Sequence, residues 1–317
     1  MSISLQTKLV NGHSGINDAW HVEHHVYEQQ IKLLRRENIR TDKLDRFGKH
    51  IPTIKEKEGF VVNLNTDNFG DRVKVRGLFI DGDVQTASVV FKIGGTIINK
   101  IPLRLIKALN KVNDIPNYMD FSFDVFFGDS IYVHLFHRLM LLDMTFVDVP
   151  DEIKEIGVVF EGCWLNNKEL ARLNDITMDH FIKQPIAWSL PNDKIVNHLS
   201  IQNILVCERK DNIKRVKYDC LYSDRVSDEQ VNVFDYDERL SAVYGIKVND
   251  NVTCFNMNPG KPWDCHYSEG NFNVSKFIKE KLVVERKDGS DAPIDVFFLT
   301  TNQLHYEKGM CGLKFAY

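Results

Sequence analysis

Hydrophobic and polar residues alternate over many short stretches of the chain, and turn-forming residues separate these stretches. This two-residue period is typical of β-strands that bury one face. The regular spacing of the stretches predicts an all-β protein built from antiparallel sandwiches. The stretches include "VKVRGLFI" (73–80), "ASVVFKI" (87–93), "LSIQNILVCER" (199–209), "IKRVKYDCLY" (213–222), "RLSAVYGIKV" (239–248) and "IDVFFLT" (294–300).

Two further patterns in the first half predict particular elements. "MDFSFDVFF" (119–127) predicts another strand, because every second residue from Phe121 to Phe127 is apolar. Gly94 and Gly95 lie between two apolar runs and predict a tight turn that joins two strands.

Helical periodicity is confined to two segments. "NNKELARLNDITMDHFI" (166–182) offers Asn166 or Asn167 as an N-cap and then an apolar seam. "PLRLIKALNKV" (102–112) has a proline in its first turn and three apolar residues on one face, Leu105, Ile106 and Leu109. We expect both segments to be short helical inserts between strands.

The length of 317 residues favours two domains over one. A boundary is predicted near Val149, where "DVPDEIKEIG" (148–157) brings a proline and several charges after a strongly apolar run. The sequence therefore predicts an N-terminal arm (residues 1–17), a first β-rich half (18–149) and a second (150–317).

Composition and charge narrow the function. Hydrophobic residues make up 43% of the chain and charged residues 26%, which is typical of a globular protein. The net charge of −4 argues against specific nucleic-acid binding, and the basic residues of segment 31–57 are interpreted as a solvated face or arm. "MSISLQTKLV" (1–10) lacks the apolar core of a signal peptide, and "IYVHLFHRLMLLDMTFV" (131–147) is interrupted by charged and histidine residues, so we expect neither secretion nor membrane insertion.

The cysteines and catalytic motifs point away from an enzyme. No C-x-x-C pair occurs, so we expect reduced thiols and no structural zinc. No phosphate-binding loop and no G-x-S-x-G motif is present either, and we expect no catalytic residue and no cofactor. The six cysteines are Cys163, Cys207, Cys220, Cys254, Cys265 and Cys311.

Two histidine clusters are candidate metal sites. In "HVEHH" (21–25), a strand would place His21, Glu23 and His25 on one face, but a polar strand face or an interface is the favoured interpretation. His134 and His137 are three residues apart, so a strand would direct them to opposite faces. We therefore expect no bound metal.

Several segments resemble, in the same order, the double jelly-roll major capsid proteins of nucleocytoplasmic large DNA viruses and polinton-like viruses. "VVFKIGGTIINKIP" (89–102), "YMDFSFDVFFGDSIYVHLFHRLMLLDMTF" (118–146) and "LNNKELARLNDITMDHFIKQ" (165–184) resemble strands and a connecting segment of that family. "EGNFNVSKFIKEKLVV" (269–284) and "IDVFFLTTNQLHYEKGMCGLKFAY" (294–317) resemble its closing segment. The matching residues there are Gly270, Asn271, Phe272, Asn273 and Ser275, then Gly309, Met310, Gly312, Leu313 and Phe315.

The resemblance implies two consecutive jelly-roll β-sandwiches and a structural role in a virion. A capsid protein of this family is expected to form a homotrimeric capsomer of an icosahedral shell, assembled inside the host cell. It would contact neighbouring capsomers and minor capsid or penton proteins. Two alternatives remain from the sequence: a single-roll penton, minor capsid or scaffolding protein, and a carbohydrate-binding or cupin-like β-sandwich.

Two local expectations concern the closing segment. Residues 271–275 are expected to form a structural turn in which Phe272 is a buried anchor. "CGLKFAY" (311–317) is expected to be an internal strand that buries one face, with Leu313 and Phe315 among its buried residues.

Overall fold

The structure is a computed structural model of the chain. It describes residues 26–35, 37–44, 50–111, 114–120, 123–128, 131–133, 142–174, 177–189, 200–223, 228–258, 262–264, 272–274, 277–307 and 310–315. The predicted N-terminal arm and the "HVEHH" segment lie outside these residues. None of the helices in the described ranges is long and apolar enough to cross a membrane.

Ten of the strands in the described residues belong to the first β-sandwich. In chain order they are β1 (Val26–Arg35), β2 (Glu37–Leu44), β3 (His50–Leu64), β4 (Arg72–Ile80), β5 (Ser88–Ile93), β6 (Thr96–Pro102), β7 (Tyr118–Asp120), β8 (Ile131–Tyr132), β9 (Leu142–Val147) and β10 (Glu155–Trp164). One sheet has the order β1-β10-β4-β7, and β8 also pairs with β4. The other sheet has the order β2-β3-β9-β5-β6.

Nine further strands belong to the second β-sandwich. They are β11 (Met178–Ser189), β12 (Ile201–Val206), β13 (Ile213–Ser223), β14 (Asp228–Tyr236), β15 (Ile246–Lys247), β16 (Thr253–Asn256), β17 (Phe277–Arg286), β18 (Asp295–Glu307) and β19 (Met310–Leu313). One sheet has the order β11-β18-β12-β16-β15, with β19 on β18, and the other has the order β14-β13-β17.

Short α-helices lie between the strands in the described part of the chain. They are α1 (Thr66–Phe69), α2 (Leu103–Leu109), α3 (Asp124–Phe127), α4 (Asn167–Asn174) and α5 (Glu238–Tyr244), and a 3₁₀ turn covers Lys210–Asn212.

Both sandwiches have jelly-roll topology. In each of them the first strand pairs antiparallel with a strand late in the sandwich, as β1 does with β10 and β11 with β18. That late strand also pairs with an early strand, β4 in the first sandwich and β12 in the second. The prediction of an all-β fold with two consecutive jelly rolls and short helical inserts is confirmed.

The position of β10 bears on the boundary between the halves. The sequence pattern places the boundary between residues 149 and 150, but β10 (Glu155–Trp164) pairs with β1 and β4 of the first sandwich. Strand pairing therefore favours a later boundary, between β10 and β11. We propose that the linking segment is residues 165–177, which contain α4.

Two of the predicted strands are wrong. Of the described residues of "MDFSFDVFF", the first two end the short strand Tyr118–Asp120, whereas Asp124–Phe127 form α3. Phe126 and Phe127 are adjacent in sequence and are both buried, which the opposite-facing neighbours of a one-sided strand do not allow. In "RLSAVYGIKV", the first residues form α5, because the side-chain carboxylate of Asp237 accepts hydrogen bonds from two helical N–H groups and caps the helix.

The two predicted helices begin close to the expected residues. α2 begins at Leu103, so Pro102 is its N-cap rather than a first-turn residue, and the helix ends at Leu109. Asn166 caps α4, since its side chain accepts from the backbone N–H groups of Lys168 and Glu169 while Glu169 accepts from the N–H of Asn166. The predicted helix ends at Asn174, however, and the "MDHFI" part of the segment lies in β11.

The Gly94-Gly95 turn between β5 and β6 is confirmed. Ile93 pairs with Thr96 across the turn, and both glycines have positive φ, 54° and 84°. A two-residue hairpin of this kind requires left-handed backbone at both central positions, which glycine adopts without steric cost.

Two apolar clusters form the core, and β18 contributes to both. Phe297 and Leu299 belong to the cluster that includes the interior of the first sandwich. Val296 and Phe298 belong to a separate cluster inside the second sandwich. Alternate residues of a strand point to opposite faces. The sheet that contains β18 is therefore a middle layer: one of its faces packs against the first sandwich, and the other lies inside the second sandwich.

Candidate assembly surfaces

The two sandwiches are joined by an apolar interface inside the chain. Leu205 of β12 and Phe297 and Leu299 of β18 are fully buried, and they share one cluster with apolar residues of α2 such as Leu105. Complete burial of each such side chain stabilises the folded chain by roughly 1.5–3 kcal/mol. The contact between the sandwiches is therefore a core rather than a loose domain contact.

Polar contacts border this apolar interface. The guanidinium of Arg104 on α2 lies 3.2 Å from a carboxylate oxygen of Asp295 and 5.5 Å from the centre of the Phe297 ring. The side-chain amide of Asn249 donates to the backbone carbonyl of Ala108 at 2.7 Å. These contacts fix how α2 sits on the sheet of the second sandwich.

β6 and α3 of the first sandwich also contact β11. The Asn99 amide donates to the carbonyl of Lys183 at 2.9 Å, and the Gln184 amide donates to the carbonyl of Ile98 at 2.7 Å. The ring of His180 contacts the carbonyl oxygen of Phe127. Because buried backbone carbonyls require partners, these bonds fix the position of the first sandwich relative to β11.

A buried lysine forms a polar network close to the interface. The ammonium of Lys183 donates to the carbonyl of Trp263 at 2.8 Å and to the side-chain oxygen of Asn203 at 3.2 Å. Asn203 in turn donates to the side-chain oxygen of Asn256 at 2.6 Å. Sequence reasoning missed this network, since its only signal is a lysine within the apolar strand segment "FIKQPIAW" (181–188).

The described cysteines do not have the properties of nucleophiles. Burial raises the pKa of Cys163 to about 11 and the pKa values of Cys207, Cys220, Cys254 and Cys311 to about 12. Because the thiolate is the reactive form, these thiols are protonated at neutral pH. Cys265 lies outside the described residues.

The described ranges hold no group of three or more histidine, cysteine, aspartate or glutamate side chains placed to bind a metal. The histidines of the two candidate clusters, His21, His25, His134 and His137, are outside those ranges. The most buried acidic contact is the hydrogen bond of 2.8 Å from the Tyr218 hydroxyl to Glu280. Burial, followed by the charge of Glu280, raises the pKa of Tyr218, so this hydroxyl remains a donor.

Phe272 packs against the core of the second sandwich but is half-buried, whereas the sequence predicted a buried anchor. Its ring stacks on Phe277 at 5.4 Å and meets the edge of Tyr218 at 6.2 Å between ring centres. Its backbone exchanges two hydrogen bonds with Ile201 of β12, at 2.7 and 2.8 Å. Three other residues of the predicted turn, Gly270, Asn271 and Ser275, lie outside the described residues, so the turn stays a prediction.

The closing segment forms β19 on the edge of β18. Leu313 pairs with Leu304, and Cys311 is buried, whereas Met310 and Gly312 are exposed. The prediction of a buried Phe315 is wrong: this side chain is 42% exposed, although the backbone beyond the end of β19 still hydrogen-bonds to β18 through Lys314 and Gln303. Gly309 is not described. The structure therefore does not bring Phe272 and the closing strand into one site.

One exposed apolar surface lies on the outer face of the sheet β1-β10-β4-β7. We call it the outer sheet face and define it by five residues, Ile31, Leu33, Phe79, Tyr118 and Val159. Ile31 and Leu33 are 58% and 53% exposed. The rings of Phe79 and Tyr118 lie 4.6 Å apart, and that of Tyr118 covers Gly77, where a side chain would collide with it.

A second exposed apolar surface lies on α5. Leu240, Val243 and Tyr244 are spaced three and four residues apart, which places them on one side of the helix. Val243 is 72% exposed. We call these three residues the helix surface. Sequence reasoning missed it because the segment alternates like a strand, although Asp237 before it was a possible helix-capping signal.

Comparison with known proteins finds likeness in structure alone. No known protein family matches the sequence, and no curated protein matches it. The structure of VP54 of the virus PBCV-1, which was fitted into a cryo-EM reconstruction of the virophage Sputnik, is 12% identical. The match covers 94% of this chain and 99% of that chain, with a TM-score of 0.53. A chain of the quasi-atomic model of the PBCV-1 capsid is 11% identical over 94% of this chain and 99% of that chain, with a TM-score of 0.54.

These matches define the fold class of the chain. The protein has the two-sandwich fold of a viral capsid protein along nearly its whole length, as the resemblance in the sequence implied. The alternative of a single-roll protein is excluded, because two jelly rolls are present.

Proposed function

We propose that this protein is a structural capsid protein whose trimers are the capsomers of an icosahedral viral shell. The observation that carries the proposal is the likeness to PBCV-1 capsid chains over 94% of the chain. A chain with two sandwiches supplies six similar lobes to a ring of three, and six lobes produce a nearly hexagonal tile. Its partners would be neighbouring capsomers and minor capsid or penton proteins, and its place would be the virion.

The physical character of the molecule supports this role. A shell subunit needs a rigid block with surfaces for self-association rather than a catalytic centre. The continuous core beneath Phe297 and Leu299 makes the two sandwiches one block. The outer sheet face and the helix surface leave apolar residues exposed on different parts of that block, as expected of a subunit that assembles.

The solution mass of the purified protein tests this proposal. Light scattering should give three times the chain mass of 36.7 kDa, and the trimer should persist on dilution, because obligate interfaces of this kind bury on the order of 2,000 Å² or more. A monomer over a wide range of concentrations would contradict the proposal.

A further inference from the structure

The two sandwiches repeat one arrangement of strands and helices. In each, the sheet with the first strand packs on a sheet in which three strands neighbour each other in an equivalent order, β9-β5-β6 in the first sandwich and β17-β13-β14 in the second. A seven-residue helix follows the second strand of each trio in chain order: α2 (Leu103–Leu109) follows β6, and α5 (Glu238–Tyr244) comes after β14. α2 and α5 are therefore equivalent elements, as are the sheets β1-β10-β4 and β11-β18-β12.

Of the two contacts that this repetition allows, the described residues make one within the chain. α2 of the first sandwich packs on the outer face of the sheet β11-β18-β12, through Arg104 and the apolar residues around Phe297. The equivalent helix of the second sandwich is α5, and its helix surface is exposed. The equivalent sheet of the first sandwich carries the outer sheet face, on which Ile31 and Leu33 are also exposed.

We propose that the helix surface of one copy of this chain docks on the outer sheet face of a second copy, and so repeats between chains the contact that α2 makes within one. The inference rests on the proposed function and names the two surfaces that join the subunits. A second copy of this chain is the expected partner, because the contact of α2 with the sheet β11-β18-β12 already joins these two kinds of element.

The charges at the two exposed surfaces are complementary in the same way as those of the internal contact. Arg104 is the second residue of α2, and it pairs with Asp295, the first residue of β18. The second residue of α5 is Arg239, and the first residue of β10 is Glu155. Both are exposed, and Glu155 lies 3.1 Å from the exposed Arg35 of its own chain. Arg239 of one copy is therefore placed to pair with Glu155 of the next.

The geometry of such a contact is head-to-tail. Each copy offers one helix surface and one outer sheet face, and the two are different, so a pair of copies leaves one of each unused. Contacts of this kind continue until a ring closes. The proposed trimer is such a ring, in which three chains satisfy all the surfaces.

A substitution at the most exposed position of α5 tests the docking. Val243→Asp should abolish the trimer and leave folded monomer, because a carboxylate replaces an apolar side chain that is 72% exposed in the single chain. The matched control is Ile97→Asp, which changes an apolar residue that is 51% exposed on β6, outside both surfaces, and should remain trimeric. Circular dichroism checks that each variant is folded.

The outcomes separate this inference from the proposed function. If the unmodified protein and Val243→Asp are both trimers, the docking surfaces are wrong while the capsomer proposal stands. If the unmodified protein is a monomer at every concentration, both are wrong.

Charge reversal provides a second test that a merely structural effect would not pass. Arg239→Glu alone and Glu155→Arg alone should each weaken the trimer by about tenfold in its dissociation constant or more, since like charges then face each other across the interface. The double variant should recover most of the loss. Absence of recovery in the double variant would overturn the pairing.

Discussion

At the scale of single residues, the burial of two phenylalanines determines how much each stabilises the folded chain. Phe272 is half-buried against Phe277 and Tyr218, while Phe315 is 42% exposed beyond the end of β19. Both match positions of the same family resemblance in the sequence. Their different burial follows from tertiary packing, which these sequence motifs alone do not specify.

Replacement of Phe272 by alanine should therefore have a moderate effect. Phe272→Ala should lower the free energy of unfolding by roughly 1–2 kcal/mol, less than the roughly 3–5 kcal/mol typical of a fully buried phenylalanine. Denaturant unfolding measures the change. Phe315→Ala is the matched control and should stay within about 0.5 kcal/mol of the unmodified protein. Equal losses in the two variants would contradict the packing described for Phe272.

The carboxylate of Asp179 predicts a dependence of stability on pH. Burial acts to raise its pKa, but hydrogen bonds from Lys314 and His305, each 2.7 Å long, outweigh burial and hold the pKa below the ordinary value of 3.8. A carboxylate whose pKa is lowered by folding stabilises the folded state above its unfolded pKa. That contribution is lost as the pH falls through the lower folded-state pKa.

Asp179→Asn should therefore melt below the unmodified protein at pH 6, and the difference in Tm should shrink as the pH falls below about 3.8. Asp291→Asn, in an exposed turn, removes the same charge without these contacts and serves as the control. A Tm difference that is constant from pH 6 to pH 2 would show that Asp179 is not held in this way.

At the scale of elements, alternation of apolar residues found most of the strands and misplaced two helices. The α3 and α5 segments alternate like strands but form helices. Asp237 caps α5, and the burial of both Phe126 and Phe127 favours a helix at α3. β18 shows the opposite limit. Its run "VFFLTTN" (296–302) is buried throughout and has little alternation because both faces are covered, and which layer covers each face depends on residues far away in the sequence.

The closing strand β19 is expected to be necessary for a soluble fold. Deletion of residues 311–317 would remove the β19 partners of residues 304–306 of β18, which would then pair with β11 on one side alone, and would uncover the buried Leu304 and Tyr306. We expect aggregated protein, as measured by the soluble fraction after expression. Phe315→Ala, which keeps the strand, is the control. Recovery of the truncated chain as the same soluble oligomer would show that β19 is dispensable.

At the scale of the whole molecule, the proposed role as a shell subunit depends on two sandwiches that behave as one rigid block. The sequence predicted two β-rich halves and, through its resemblance, two jelly rolls. It did not predict that a sheet of the second sandwich is a shared middle layer, or that β10 pairs with the first sandwich. Both features arise from contacts between residues that are distant in the chain.

The most direct test of the central claim is electron microscopy of the purified oligomer. A trimeric capsomer should appear as a closed ring with six lobes and threefold symmetry, in which each chain contributes two adjacent lobes. Rings of three lobes, or isolated two-lobed particles at all concentrations, would contradict it.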